Sequence, residues 1–529
     1  FHNSIGILSE AASAHLMTPV RVTPEQLNRS STRGMSSALQ PSTNFPDPWP
    51  GGLWRPRDIL NIEMVAARSV LSLAAKYRTD YLRDFYELGR RGINGPQMSV
   101  GGTSVDQSKS RALAYLIPAG QGRDEALAKM ISTLVLQGVE VYRLDRELHG
   151  EFGEQVIRQT SAPANSTDKT QRRPARELFI NPVMKGEEAP AGSYLVFLNQ
   201  PYRANVLALF EPQIYPDRIN ANGEAERPYD VAGWTLPMQM GLDAFVVKSI
   251  QQPFDAKGLT LVKDEADVRR DLGLPQHQQR EGAGSPIQNP LKRKVRVALY
   301  KSWLGNMDEG WTRYVFDTFN VPYTSLLDQD IRRGNLRARY DVIVLASERD
   351  KDMVEGNAQG SYPQEFTGGM TVDGVDSLRR FVQEGGTLIC FDAASEMVIK
   401  RFGVPLVNVL AGVKSSDFYC PGSILQLDLD KTHPIAAGMP ASVDAYFINS
   451  AAFEVTDPQR VRVVARYAAH DLLRSGWLLG ENRINGKVAI AEIPLGQGRV
   501  ILFGFRPQHR GQMWGTFPLI FNSLTIGEP

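Results

Sequence analysis

The residue best placed for acid–base chemistry is Glu10, which ends a short apolar run from Ser4 to Leu8 and precedes the small residues Ala11, Ala12 and Ser13. A lone carboxylate at a strand end, crowded by compact neighbours, can have an adjustable pKa and reach a bound water, as a general base must. The competing reading is a surface or helix-capping glutamate. His2 lies eight residues earlier and could approach Glu10, although a terminal histidine is commonly a bystander. The seven histidines spell no metal motif: none is followed by Glu three positions later, and neither His-Glu-x-x-His nor Cys-x-x-Cys occurs. His149, within Arg146-Glu147-Leu148-His149-Gly150-Glu151, reads as part of a solvated mixed-charge face. Cys390 sits near the end of an apolar strand, but Leu388-Ile389-Cys390-Phe391-Asp392 has no glycine to form a nucleophile elbow, which predicts a core thiol. His433, in Thr432-His433-Pro434, reads as a turn cap.

These side chains must be positioned by a chain of 529 residues, a length that predicts two to four domains at roughly 100–200 residues each. With 42% hydrophobic and 22% charged residues, the composition is that of a globular protein. The 59 basic and 58 acidic residues give a net charge of +1, which excludes bulk attraction to nucleic acid or anionic membrane. No apolar run reaches the roughly 18 residues of a membrane span. Cys390 and Cys420 allow at most one internal disulfide. Asn28 and Asn165 stand in glycosylation-type tripeptides.

Three segments follow from the pattern. In residues 1–95 a Pro-rich loop closes with Asn44 to Ile59, where prolines 46, 48, 50 and 56 exclude a helix. A helix capped by Asp58 and running to about Arg90 presents Ile62, Val65, Ala66, Ser69, Leu73 and Tyr77 on one face. In residues 96–290 the order is strand (113–117), helix (124–137), glycine and strand (139–142), a crossover unit. A polar loop is expected over 160–176, a further strand at 193–197, and a linker from about Ala266 to Asn289. In residues 291–529 strands at 295–300, 341–346 and 387–391 alternate with helices at 309–319 and 375–384, predicting a parallel, doubly wound sheet. Further strands are expected at 423–429, 461–467, 487–492 and 499–503.

The phrase Gly6-Ile7-Leu8-Ser9-Glu10-Ala11-Ala12-Ser13 resembles the end of the catalytic domain in bacterial M14 zinc carboxypeptidases, where Gly-x-Leu-Thr/Ser-Glu supplies the catalytic glutamate. The Pro-Trp-rich loop, the long helix, Gln200 to Pro216 and Pro228 to Pro237 are similar to large multi-domain members. The third segment resembles the glutamine-amidotransferase-like α/β domain that some of them carry. The resemblance implies an α/β, multi-domain chain: a carboxypeptidase remnant (1–95), an α/β middle domain with linker (96–290) and an amidotransferase-like domain (291–529). It also implies a zinc-dependent carboxypeptidase in which Glu10 takes a proton from zinc-bound water, acting on a peptide or protein in a periplasmic or secreted setting. The family's His-x-x-Glu pair, later histidine and substrate-gripping arginine all precede that glutamate, so the resemblance places the zinc ligands upstream of Phe1. The third segment lacks the Cys-His-Glu set of a working amidotransferase. A non-catalytic ligand- or protein-binding protein built on that domain is the alternative.

Overall fold

The computed structural model describes residues 2–11, 17–27, 39–43, 45–94, 112–159, 176–216, 218, 225–228, 230–250, 258–276 and 287–527. The expected 160–176 loop falls almost wholly outside these residues, as do Asn28, Asn165 and residues 277–286 of the expected linker. Among the described residues the protein is of mixed α/β type with three separate sheets. It divides into two compact units, Phe1–Pro96 with Asn199–Ala204, and Gln97–Leu198 with Asn205–Pro529.

In the first unit, the strand Val20–Val22 pairs antiparallel with Gly52–Trp54. Gly51 precedes this pair with φ +94°, and a Cβ there would stand 2.8 Å from the Val22 carbonyl oxygen, so only glycine fits. The expected long helix is two helices, Pro56–Lys76 and Arg78–Asn94, separated at Tyr77. Pro56 opens the first one, because proline's missing N–H and fixed φ suit a first helical turn. Asp58 acts from inside that turn, accepting hydrogen bonds from the Arg55 backbone N–H and guanidinium, each at 3.0 Å. The second helix runs past the expected end at about Arg90, with Gly92 inside it. Neither helix buries a residue; Ile62, Val65, Leu73 and Tyr77 of the expected apolar face are 50%, 64%, 49% and 40% exposed.

In the second unit, residues 114–261 form a seven-stranded sheet whose recorded pairings are all antiparallel. The expected crossover is present, with a modification. Ala114–Ile117 and Tyr142–Leu144, joined by the helix Asp124–Leu136, both pair antiparallel with Tyr194–Phe197, which is inserted between them. Leu127, Met130, Ile131 and Leu134 of that helix are buried. The polar stretch after Ala266 carries the end of a helix, Glu265–Asp271, rather than continuous linker. The aromatic turn around Trp234 is a strap: the Ala232 and Gly233 N–H groups donate to the Gly422 carbonyl at 2.8 and 2.9 Å.

Residues 297–503 build a twelve-stranded sheet. Five parallel strands run in the order Tyr323–Leu327, Val297–Lys301, Val342–Leu345, Thr387–Phe391 and Gly498–Phe503, and Val488–Leu495 then continues antiparallel. The strands at 342–345, 387–391 and 498–503 are buried at every position, as strands covered on both faces must be. Helices Met307–Thr318, Thr371–Gln383 and Ser395–Phe402 connect or follow them. Leu388, fully buried, packs in a core cluster with Ile343, Leu378, Val500 and Leu502. Leu388→Ala should cost roughly 2–5 kcal/mol, read as a lower denaturant midpoint, and an unchanged midpoint would contradict this packing.

Candidate functional site

Glu10 does not stand at a strand end. Residues 4–10 form neither helix nor strand, and Ile5, Ile7 and Leu8 are 71%, 70% and 83% exposed. An alternating apolar run becomes a strand only when another backbone pairs with it, and among the described residues none does. Ser9 Oγ donates to Glu63 Oε2 at 2.9 Å, tying this stretch to the first helix. Glu10 itself is exposed rather than crowded, and no described residue hydrogen-bonds or pairs with its carboxylate. His2 packs edge-on against Tyr202 at 5.2 Å. Among the described residues neither Glu10 nor His2 belongs to a cluster of metal-ligating side chains. The described residues around Glu10 therefore do not make a zinc site by themselves.

The carboxyl edge of the parallel sheet gathers a second set of polar groups, where α/β sheets of this order receive ligands. Asp392 follows the strand Thr387–Phe391 with φ +50°, and a 3-10 turn leads from it into the helix beginning at Ser395. The chain thus makes a strained strand-to-helix elbow without glycine, and it places Asp392 there, two residues beyond Cys390. Ser347 Oγ donates to Asp392 Oδ2 at 2.8 Å, and Arg506 Nη1 lies 2.7 Å from the same oxygen. Arg506 Nε also donates to Asp308 Oδ2 at 3.0 Å. Burial raises the Asp392 carboxyl above its ordinary range, and Arg506, Ser347 and Ser450 oppose that shift. The Asp392 carboxylate is thus engaged in an ion pair and hydrogen bonds, and is not a free nucleophile.

Cys390 is fully buried in the apolar core, as its neighbours predict, and burial pushes its thiol well up. Cys420 is likewise buried, its thiol pushed up to about 12, and neither cysteine forms a disulfide. Nearby, Ser302 Oγ and Asn306 Nδ2 donate to Glu348 at 2.6 and 3.1 Å. Asn306 also caps the helix Met307–Thr318, accepting from the Asp308 and Glu309 N–H groups. Tyr300 donates its hydroxyl to Asp328 at 2.7 Å, while the other Asp328 oxygen is buried without a partner.

His433 caps its turn as expected, its Nδ1 accepting from the Ile435 N–H at 3.2 Å. Its Nε2 lies 2.8 Å from Glu492, which also receives Arg499 at 2.9 Å. Burial raises the Glu492 carboxyl, but His433, Arg499 and Arg462 outweigh it and hold the group below its ordinary value. These residues line a cavity of about 480 Å³ together with Asp430, Thr432 and Ile526. Both imidazole nitrogens of His433 are engaged within the fold.

His149 is brought against Glu147 and, from the neighbouring strand, Glu188. Sequence reading did not pick out Glu188, Asp392 or Arg506. Asp392 alone carries a local signal, an acidic residue directly after a buried strand run.

No family model and no curated protein matches the sequence. Among solved structures, the chain is similar to a β-galactosidase from Bacillus circulans sp. alkalophilus at 12% identity and a TM-score of 0.28, over 42% of this chain and 30% of that one. It is similar to a ThuA-like protein from Bacteroides uniformis at 12% identity and 0.26, over 48% and 97%. A β-galactosidase from Rahnella sp. R3 gives 10% identity and 0.28, over 44% and 32%. The chain therefore spans less than a third of the first of these proteins, and scores of this size define no shared fold or function.

Asp328 gives a pH test of the carboxyl edge. Burial pushes its carboxyl up from an ordinary 3.8 to about 6. Because the folded value exceeds the unfolded one, its stabilising contribution is complete at pH below about 4 and is lost as pH rises through about 6. The loss corresponds to about 3 kcal/mol at most. Asp328→Asn keeps an acceptor for Tyr300 and removes the titration, so its stability relative to the native chain should rise between pH 4 and 7 in urea unfolding. Parallel pH profiles for the two proteins would contradict the assignment.

Proposed function

We propose that this chain is part of a zinc-dependent metallocarboxypeptidase and carries its general base, Glu10. The observation that carries the reading is the phrase Gly6 to Ser13 with a Glu10 carboxylate that no described residue engages. A catalytic base has to be free to accept a proton from the attacking water and hand it to the leaving amine as the C–N bond breaks and the C–O bond forms. Further support comes from the apolar surface of the first unit. Ile5, Ile7 and Leu8, and along the helices Leu60, Val65, Leu71 and Leu82, are 58–83% exposed. Apolar surface of this extent calls for a protein partner, and the rest of a peptidase fold is the cover proposed. Because the described residues near Glu10 do not supply a metal site, the assignment concerns proton transfer alone. Peptide or protein substrates and an exported location belong to the same reading.

In the complete gene product, Glu10→Gln should lower kcat for release of a C-terminal residue by roughly 10²–10⁴-fold. Unchanged turnover would remove Glu10 from the mechanism.

A second reading, a non-catalytic binding role for residues 291–529, is favoured by one observation: the strand-to-helix elbow holds Asp392, which is occupied by Arg506 and Ser347, while the nearest thiol is in the core. Cys390 should accordingly resist alkylation in the native protein and react readily in denaturant. Rapid native labelling would sink this reading and reopen a cysteine amidotransferase.

A further inference from the structure

The hairpin Leu148–Gln159 and Arg176–Ala189 joins three side chains that the sequence separates. His149 and Glu188 are register partners across this antiparallel pair. Glu147 precedes His149 by two residues, and the two-residue period of extended backbone puts both on one face. Leu148 between them is buried, so the three polar side chains occupy the face turned toward solvent. Glu147 Oε1 lies 3.0 Å from His149 Nε2, and Glu188 Oε1 lies 3.5 Å from Nδ1. One ligand atom from each residue falls within 4.8 Å of the other two. Among the described residues neither carboxylate has a lysine or arginine partner. Two negative charges therefore converge on a single imidazole, an arrangement that demands a positive charge between them.

We propose that Glu147, His149 and Glu188 bind a divalent transition-metal ion of the zinc class. One imidazole nitrogen and two carboxylate oxygens are a donor set suited to zinc, and the imidazole disfavours calcium and magnesium, which select oxygen. Zinc holds such atoms at about 2.0–2.2 Å, so its ligand atoms stand roughly 3.5 Å apart. The three residues reach that spacing by closing about an ångström. Glu147 and Glu188, with side chains 48% and 54% exposed, are free to turn. Because the carboxylates face opposite ring nitrogens, binding selects one nitrogen and draws the far glutamate around the ring. Three protein ligands leave a coordination position open to water. The site uses no residue of the Glu10 segment and does not depend on the peptidase reading.

The test is calorimetric titration of Zn²⁺ into the metal-stripped 529-residue chain. One equivalent should bind to the native chain and to His470→Ala, which removes an exposed imidazole elsewhere. His149→Ala and Glu188→Gln should each weaken that binding by more than about 100-fold, beyond the usual effect of losing an outer-shell partner. Glu188→Gln preserves side-chain size at an exposed position, so a folded variant, verified by circular dichroism, separates lost ligation from lost structure. Co²⁺ should add a visible absorption band that His149→Ala abolishes. Absence of Zn²⁺ binding by the native chain would overturn the proposal, as would binding by both site variants as tight as that of the native chain.

Discussion

The carboxyl edge of the parallel sheet depends on one half-buried cation, Arg506. Arg506 follows the strand Gly498–Phe503, and its guanidinium reaches Asp392 at 2.7 Å, Asp308 at 3.0 Å and the Ile448 carbonyl at 2.9 Å. It thereby fastens the elbow after one strand, the first turn of a helix and a distant loop to the same point. Asp392 is almost wholly buried, and an ionised carboxylate in that setting is tolerable only with a partner. The strained φ at Asp392 persists because Ser347 and Arg506 hold the side chain that requires it.

That arrangement bears on where chemistry can occur. An elbow that presents a nucleophile leaves its side chain free, whereas here it is consumed in an ion pair. His433 is likewise tied into the fold, with one ring nitrogen on a backbone N–H and the other on Glu492. At the carboxyl edge the polar groups of Asp392 and Glu348 are satisfied within the fold, whereas one Asp328 oxygen is buried without a partner. The Glu10 carboxylate, by contrast, is exposed and has no partner among the described residues.

The interior of the fold was legible because fully covered strands are written as uninterrupted apolar runs. Thr387–Phe391 and Ser423–Leu429 appear with the bounds their composition predicts, and Cys390 is core because its neighbours are. What failed to show depends on partners far along the chain. The run Ser4 to Leu8 has the pattern of a strand, but a strand needs a second backbone and none of the described residues supplies it. Tyr194–Phe197 enters between two strands whose spacing predicted a crossover, and no local pattern announces such an insertion. The sequence around Cys390 offers no glycine for an elbow, yet two residues on, at Asp392, a side-chain ion pair holds a left-handed backbone that glycine would adopt freely. His149 reads as a solvated face until the hairpin register brings Glu188 opposite it.

The proposal that Glu10 is a peptidase base is tested most directly by a structure of the complete gene product with a phosphonate analogue of the tetrahedral intermediate. The account predicts the Glu10 carboxylate about 2.6–3.2 Å from a phosphonate oxygen, with the apolar faces of the first unit covered. A phosphonate bound elsewhere, with Glu10 still facing solvent, would contradict it.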